Sequence, residues 1–146
     1  MTTHTFATKV ALARVTRAKL RATEHEAAVA DRRAGAVVSF HGVVRDHDHD
    51  RAVLELNYEC HPDADEILRQ VAEDVAADPH VVRLAVSHRV GPLRVGDLAL
   101  MASVSTAHRA DAFAACARLV EEAKARLPIW KHQVFLDGTD EWVNCP

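Results

Sequence analysis

Cysteine is scarce and scattered in this chain. Cys60, Cys116 and Cys145 are odd in number and form no C-x-x-C pair, which argues against a disulfide framework and a zinc knuckle and fits a reducing cytoplasm. Met1 to Thr8 is rich in threonine and lacks the apolar stretch of an export signal, and no run approaches the ~18 apolar residues of a membrane span. A soluble, unexported protein without membrane contact is expected. Internal repeats and low-complexity linkers are missing. So are G-x-S-x-G, the phosphate loop and the dinucleotide fingerprint, so the sequence offers no serine-hydrolase elbow and no cradle for ATP or NAD, and no cofactor is expected.

What is present fits one domain spanning residues 1–146, because a chain of this length with 49% apolar residues fills one ordinary core and not two. Its net charge of −3 gives no general attraction to nucleic acid or to an anionic membrane. Any anion must be captured by a local cluster.

Strand-like and helix-like periods alternate along the chain. Strands are expected over 8–15, 35–44, 52–60, 82–90, 98–106 and 129–136. Helices are expected over 22–33 (ended by a left-handed Gly35), 63–77 and 108–127. Residues 45–51 read as a polar, solvated connection, and Gly91-Pro92 and Gly96-Asp97 bracket a tight excursion. In the strand 52–60, Leu54, Leu56 and Tyr58 share one face, and Val53, Glu55 and Asn57 the other. Mixed order with short strand-to-strand links favours α+β with a largely antiparallel sheet.

The candidate chemistry lies in the last third of the chain. At about 100° per residue, Phe113, Cys116, Val120, Ala123 and Leu127 fall on one side of the last helix, and Lys124 and Arg109 project on that same side, within about 40° of Phe113. An isolated lysine there reads as snorkelling over the core edge, but two cations on one apolar stripe suggest an anion site. The unpaired amides at the helix start, with Thr106, His108 and Arg109, suit a phosphate; an ordinary Ser/Thr cap is the plain alternative. Arg109 and Lys124 stand about 22 Å apart on a helix. One pocket using both therefore requires two subunits, which points to a homodimer. On the following strand Lys131, Gln133 and Phe135 share a face, and Trp130, His132, Val134 and Leu136 share the other. Arg45 closes the strand 35–44, in which Gly42 permits close approach by a ligand or a second backbone. His47 and His49 among Asp46, Asp48 and Asp50 imitate a metal site but read better as a solvated loop, and Cys116 reads as a core cysteine.

Gly35-Ala-Val-Val-Ser-Phe40-His-Gly42-Val-Val-Arg45, Leu56-Asn-Tyr58-Glu59, Ser105-Thr106-Ala107-His108-Arg109, Lys124 and Pro128-Ile129-Trp130-Lys131 occur in this order. Together they resemble the large, catalytic subunit of molybdopterin synthase over about residues 35–143. The resemblance implies an α/β hammerhead fold and a sulfurtransferase that converts cyclic pyranopterin monophosphate into molybdopterin. It also implies a small β-grasp sulfur-carrier subunit, whose C-terminal Gly-Gly thiocarboxylate delivers two dithiolene sulfurs, in a heterotetramer built on a homodimer. Position by position, it implies that Val43, Val44 and Arg45 line the substrate pocket and that His108 and Arg109 bind phosphate or pterin. Lys124 and Lys131 are then the key catalytic lysines, with His132 and Gln133 beside the second. Gln133 stands where the family commonly has glutamate. The competing readings are a binding scaffold of the same complex that has lost turnover, and a metal-binding protein using His47 and His49.

Overall fold

The computed structural model describes residues 9–48 and 50–144; expectations resting on Met1–Thr8, His49 and Cys145 lie outside the described residues. Nine strands and three helices occur among them. A first sheet has the order β1 (Val10–Thr16), β5 (Val81–Arg89), β7 (Leu98–Thr106) and β2 (Ala36–Val43). Only β1 with β5 is parallel there; the β5–β7 and β2–β7 pairs are antiparallel.

Both faces of this sheet are covered, which explains why β7 is apolar or small at every position and β5 at most of its positions. Helix α1 (Ala22–Val29) lies over β5 and β7, where the buried His25 Nε2 meets Ser87 Oγ at 2.8 Å. Helices α2 (Ala64–Ala76) and α3 (Arg109–Arg126) cover the other face. Leu68, Val71 and Val75 of α2 pack there with Leu119 and Ala123 of α3 against Leu84, Val86 and Val104. The Lys9 ammonium closes the C-terminal end of α2 by donating to the carbonyls of Ala76 and Asp78.

The second sheet carries β3 (His47–Asp48), β4 (Arg51–Cys60), β8 (Ile129–Phe135) and β9 (Asp140–Asn144), with β6 (Gly91–Leu93) on the other side of β4. All its pairings are antiparallel. The whole is α+β with largely antiparallel sheets, as the order of elements implied.

Several boundaries differ for identifiable reasons. The first helix stops at Val29, because Ala30 turns extended (φ −61°, ψ 131°) and Asp31 organises the next turn by accepting from the Arg33 amide. Gly35 is not left-handed. A Cβ there would stand 2.7 Å from the Ala107 carbonyl oxygen, so the glycine serves close backbone approach instead. In β4 the pairing with β8 slips between Val53 and Glu55, so Val53 turns inward and Leu54 is left 55% exposed. A bulge of this kind reverses the faces that simple alternation assigns. The polar connection 45–51 contains β3, the excursion after Gly91 contains β6, and β9 follows the turn at Gly138. Phe113, placed on the apolar stripe of α3, is 61% exposed; the buried side consists of Ala112, Ala115, Cys116, Leu119, Val120 and Ala123.

Candidate active site

Helix α3 ends because Leu127 turns extended (φ −72°, ψ 127°) immediately before Pro128, whose ring disfavours a helical predecessor. The Pro128 carbonyl accepts from the His61 amide at 3.0 Å, fixing the corner. Lys124 in the last helical turn and Lys131 on β8 are thereby brought to one cavity of about 360 Å³. The end of β2 supplies Gly42 and Val43 to its wall, followed by Val44 and Arg45. Gly42 sits closely packed, since a Cβ there would meet Leu100 Cβ and Phe40 Cε2 at 3.2 Å.

Alternation on β8 holds as read. Gln133 and Phe135 are buried and Lys131 is half-buried on the cavity side, while Trp130 faces out. Lys131 pairs across the sheet with Tyr58, whose ring meets the His88 imidazole edge-on at 5.1 Å. His88 donates from Nδ1 to the Arg89 carbonyl at 2.8 Å, which leaves Nε2 as an acceptor. Burial pulls this imidazole down to about 4, with the Lys124 charge adding to the effect and the bond to Arg89 opposing it. His88 is therefore neutral in a cavity whose other titratable walls include three cations, Arg45, Lys124 and Lys131.

Asp48, assigned by composition to a solvated loop, is 8% exposed. Its Oδ1 accepts from Arg45 Nη2 at 3.2 Å, and its Oδ2 accepts from Gln133 Nε2 at 2.7 Å while lying 3.9 Å from Lys131 Nζ. Its burial comes from β3 pairing with β4, which turns the side chain under the sheet. Local composition carried no sign of this. His88 did carry a signal: it falls on an alternation whose other positions are Val82, Leu84, Val86 and Val90.

Val43, Val44, Arg45, Lys124, Lys131 and Gln133 thus meet in one cavity. His132 lies on the opposite face of β8, where it stacks on Trp142 at 4.4 Å and pairs with Asp140 at 2.8 Å. His108 and Arg109 stand exposed at the far end of α3 and do not line the cavity. Thr106 is no helix cap, since its hydroxyl donates to the His108 carbonyl at 2.6 Å. Cys116 is a core residue, and burial pushes its thiol up to about 11. Among the described residues, no group of three or more His, Cys, Asp or Glu side chains is arranged to hold a metal ion.

Sequence comparison matches the model of the MoaE protein family to residues 15–126. A molybdopterin synthase catalytic subunit of Arabidopsis thaliana is 40% identical over 106 residues, covering 72% of this chain and 54% of its own length. The chain thus spans about half of that relative. A molybdopterin synthase catalytic subunit of Nostoc is 36% identical over 132 residues, 89% of this chain and 80% of its own length. The crystal structure of molybdopterin synthase from Staphylococcus aureus superposes with a TM-score of 0.82 at 28% identity, covering 90% of this chain and 96% of that one. With the family match covering most of the chain and the fold shared along its length, the chain belongs to the MoaE protein family.

Proposed function

We propose that this chain is the catalytic subunit of a molybdopterin synthase, a cytoplasmic sulfurtransferase that converts cyclic pyranopterin monophosphate into molybdopterin. One observation carries the reading: Arg45, Lys124 and Lys131, from three separate segments of the chain, face one cavity large enough for a small anionic ligand. The cyclic phosphate and the thiocarboxylate of a β-grasp carrier are both anionic. Opening the phosphate ester places further charge on oxygen, so fixed cations in a partly enclosed cavity stabilise the transition state more than the bound substrate. Arg45 and Lys131 bind and orient, and Lys124, at the cavity edge, meets the incoming carrier tail. Val43 and Val44 present backbone groups, and Gln133 holds the floor beside Lys131.

His108 and Arg109 enter from a second copy of the chain. They lie about 22 Å from Lys124 along α3, so the phosphate or pterin contacts assigned to them require the neighbour's helix start. Exposed Phe113 of α3 borders a shallow apolar groove with Val38 and Phe40 of β2, which leaves apolar surface for that contact. Mixed dimers of Arg109→Ala and Lys124→Ala subunits recover activity if one site is shared, and no recovery refutes the shared site. His132 is left as an outer-face residue of β8.

Single-turnover conversion of cyclic pyranopterin monophosphate with a thiocarboxylated carrier, read by mass, tests the reaction. Product with the wild type and loss with Lys124→Ala are expected. No product despite carrier binding would leave a scaffold that has lost catalysis.

A further inference from the structure

Asp48 is the only acidic side chain lining the cavity among the described residues. A carboxylate this buried is costly unless its lone pairs are used. Here the two oxygens have separate partners: Oδ1 faces Arg45, and Oδ2 faces Gln133 and Lys131. Gln133 is 3% exposed, and its amide nitrogen donates to Asp48 at 2.7 Å and to Glu141 Oε1 at 3.0 Å. A glutamate at 133 has no proton to give at neutral pH and would bring three carboxylates together. The amide is the side chain this geometry requires. It also ties β3, β8 and β9 together beside the cavity.

We propose that Asp48 is a positioning residue: Gln133 clamps its carboxylate, and the carboxylate sets Arg45 and Lys131 in the orientation that receives the substrate anion. The identity of that anion rests on the functional reading above. The Arg45 side chain is 70% exposed and would otherwise sample many rotamers. Ordering it before the ligand arrives lowers the entropic cost of binding and keeps the cations in register. Asp48 itself touches no reacting atom.

The test compares wild type, Asp48→Asn, Gln133→Glu, and the triple variant Asp48→Asn, Gln133→Glu, Glu141→Gln, which moves the carboxylate to 133 and places amides on both sides of it. The readouts are kcat and KM for the pterin phosphate, the melting temperature, and the heteronuclear NOE of the Arg45 Nε–H group. Asp48→Asn and Gln133→Glu are expected to lower kcat/KM by about 10–100-fold, the magnitude typical of residues that orient site groups. Asp48→Asn should also lower the Arg45 NOE while the protein stays folded, and the triple variant should recover the part of the loss that belongs to Lys131 while the Arg45 NOE stays low, because the carboxylate at 133 faces Lys131 and not Arg45. Wild-type kcat/KM and NOE in Asp48→Asn would overturn the proposal. So would an activity loss that only follows loss of folded protein and shows no recovery in the triple variant. If the wild type itself makes no product, the functional reading fails and the NOE alone decides: a drop in Asp48→Asn sustains the positioning role, and no change overturns it.

Discussion

In β7 every residue from Ala99 to Thr106 is buried, whereas in β8 buried residues alternate with half-exposed or exposed ones over most of its length. The first strand is covered by helices on both faces, and the second borders a cavity on one side and solvent on the other. Their polar residues differ accordingly. In β7 they are small and hydrogen-bonded, as where Ser103 and Ser39 share a hydrogen bond at 2.7 Å and the Ser105 hydroxyl donates to the Arg83 carbonyl. In β8, Lys131 and Gln133 are long and charged or amidic, and both line the cavity. Stability is thus concentrated in one sheet and chemistry in the other, and substitutions should separate the two.

The largest effect is expected in the second sheet and at the helix end facing it. Lys131→Ala or Lys124→Ala should slow single-turnover sulfur transfer by about 10²–10⁴-fold, with little change in the urea midpoint, since neither side chain is in the core. Lys131→Arg sharpens the point: full activity there would assign the position to charge alone and rule out proton transfer by it.

Leu119→Ala strikes the other side of the comparison. This residue is fully buried between α3 and the first sheet, and its truncation should cost about 2–5 kcal/mol in urea unfolding. The molecules that remain folded should transfer sulfur at the wild-type rate. A matching loss in the rate per folded molecule would mean that the two sheets are not separable.

The pH dependence of stability links the regions through His88, which belongs to β5 and lines the cavity. Its folded value, about 4, lies below that of a free imidazole. Between the two values the unfolded chain binds more protons, so the stabilisation is present above about pH 6.5 and is lost as the pH falls toward 4. From pH 7 to 5 the loss should be about 2 kcal/mol, increased by His25, whose imidazole is also lowered by burial. His88→Gln should flatten the curve, and an unchanged slope would show that His88 is already protonated when folded.

The smallest effect is expected at the surface. Arg126 bridges Asp74 of α2 and Glu122 of α3 at 2.7 and 3.2 Å, yet these groups are well solvated. Arg126→Ala should shift stability by less than about 1 kcal/mol, and the shift should shrink further in high salt.

Much of this arrangement was legible in the residues. The proline corner after α3, the inward set Lys131, Gln133 and Phe135, and the placing of Arg45 just beyond the end of β2 all follow from local rules, because helix termination and strand alternation depend on neighbours in sequence. The misreadings occurred where a local rule was interrupted. The bulge after Val53 reversed a strand face, a two-residue strand buried Asp48, and the exposed Phe113 showed that the apolar stripe of α3 is centred elsewhere.

The sequence by itself determined the succession of the longer elements, the α+β class and the identity of the cations, since each is written in short-range periodicity and in residue type. Tertiary structure alone decided which of those groups meet. Asp48 and Gln133 are separated by 85 residues yet lie 2.7 Å apart, and His132, next to Lys131 in sequence, faces away from the cavity. Contacts of that range are set by how two sheets and their covering helices exclude water together, and no local pattern in the chain encodes them.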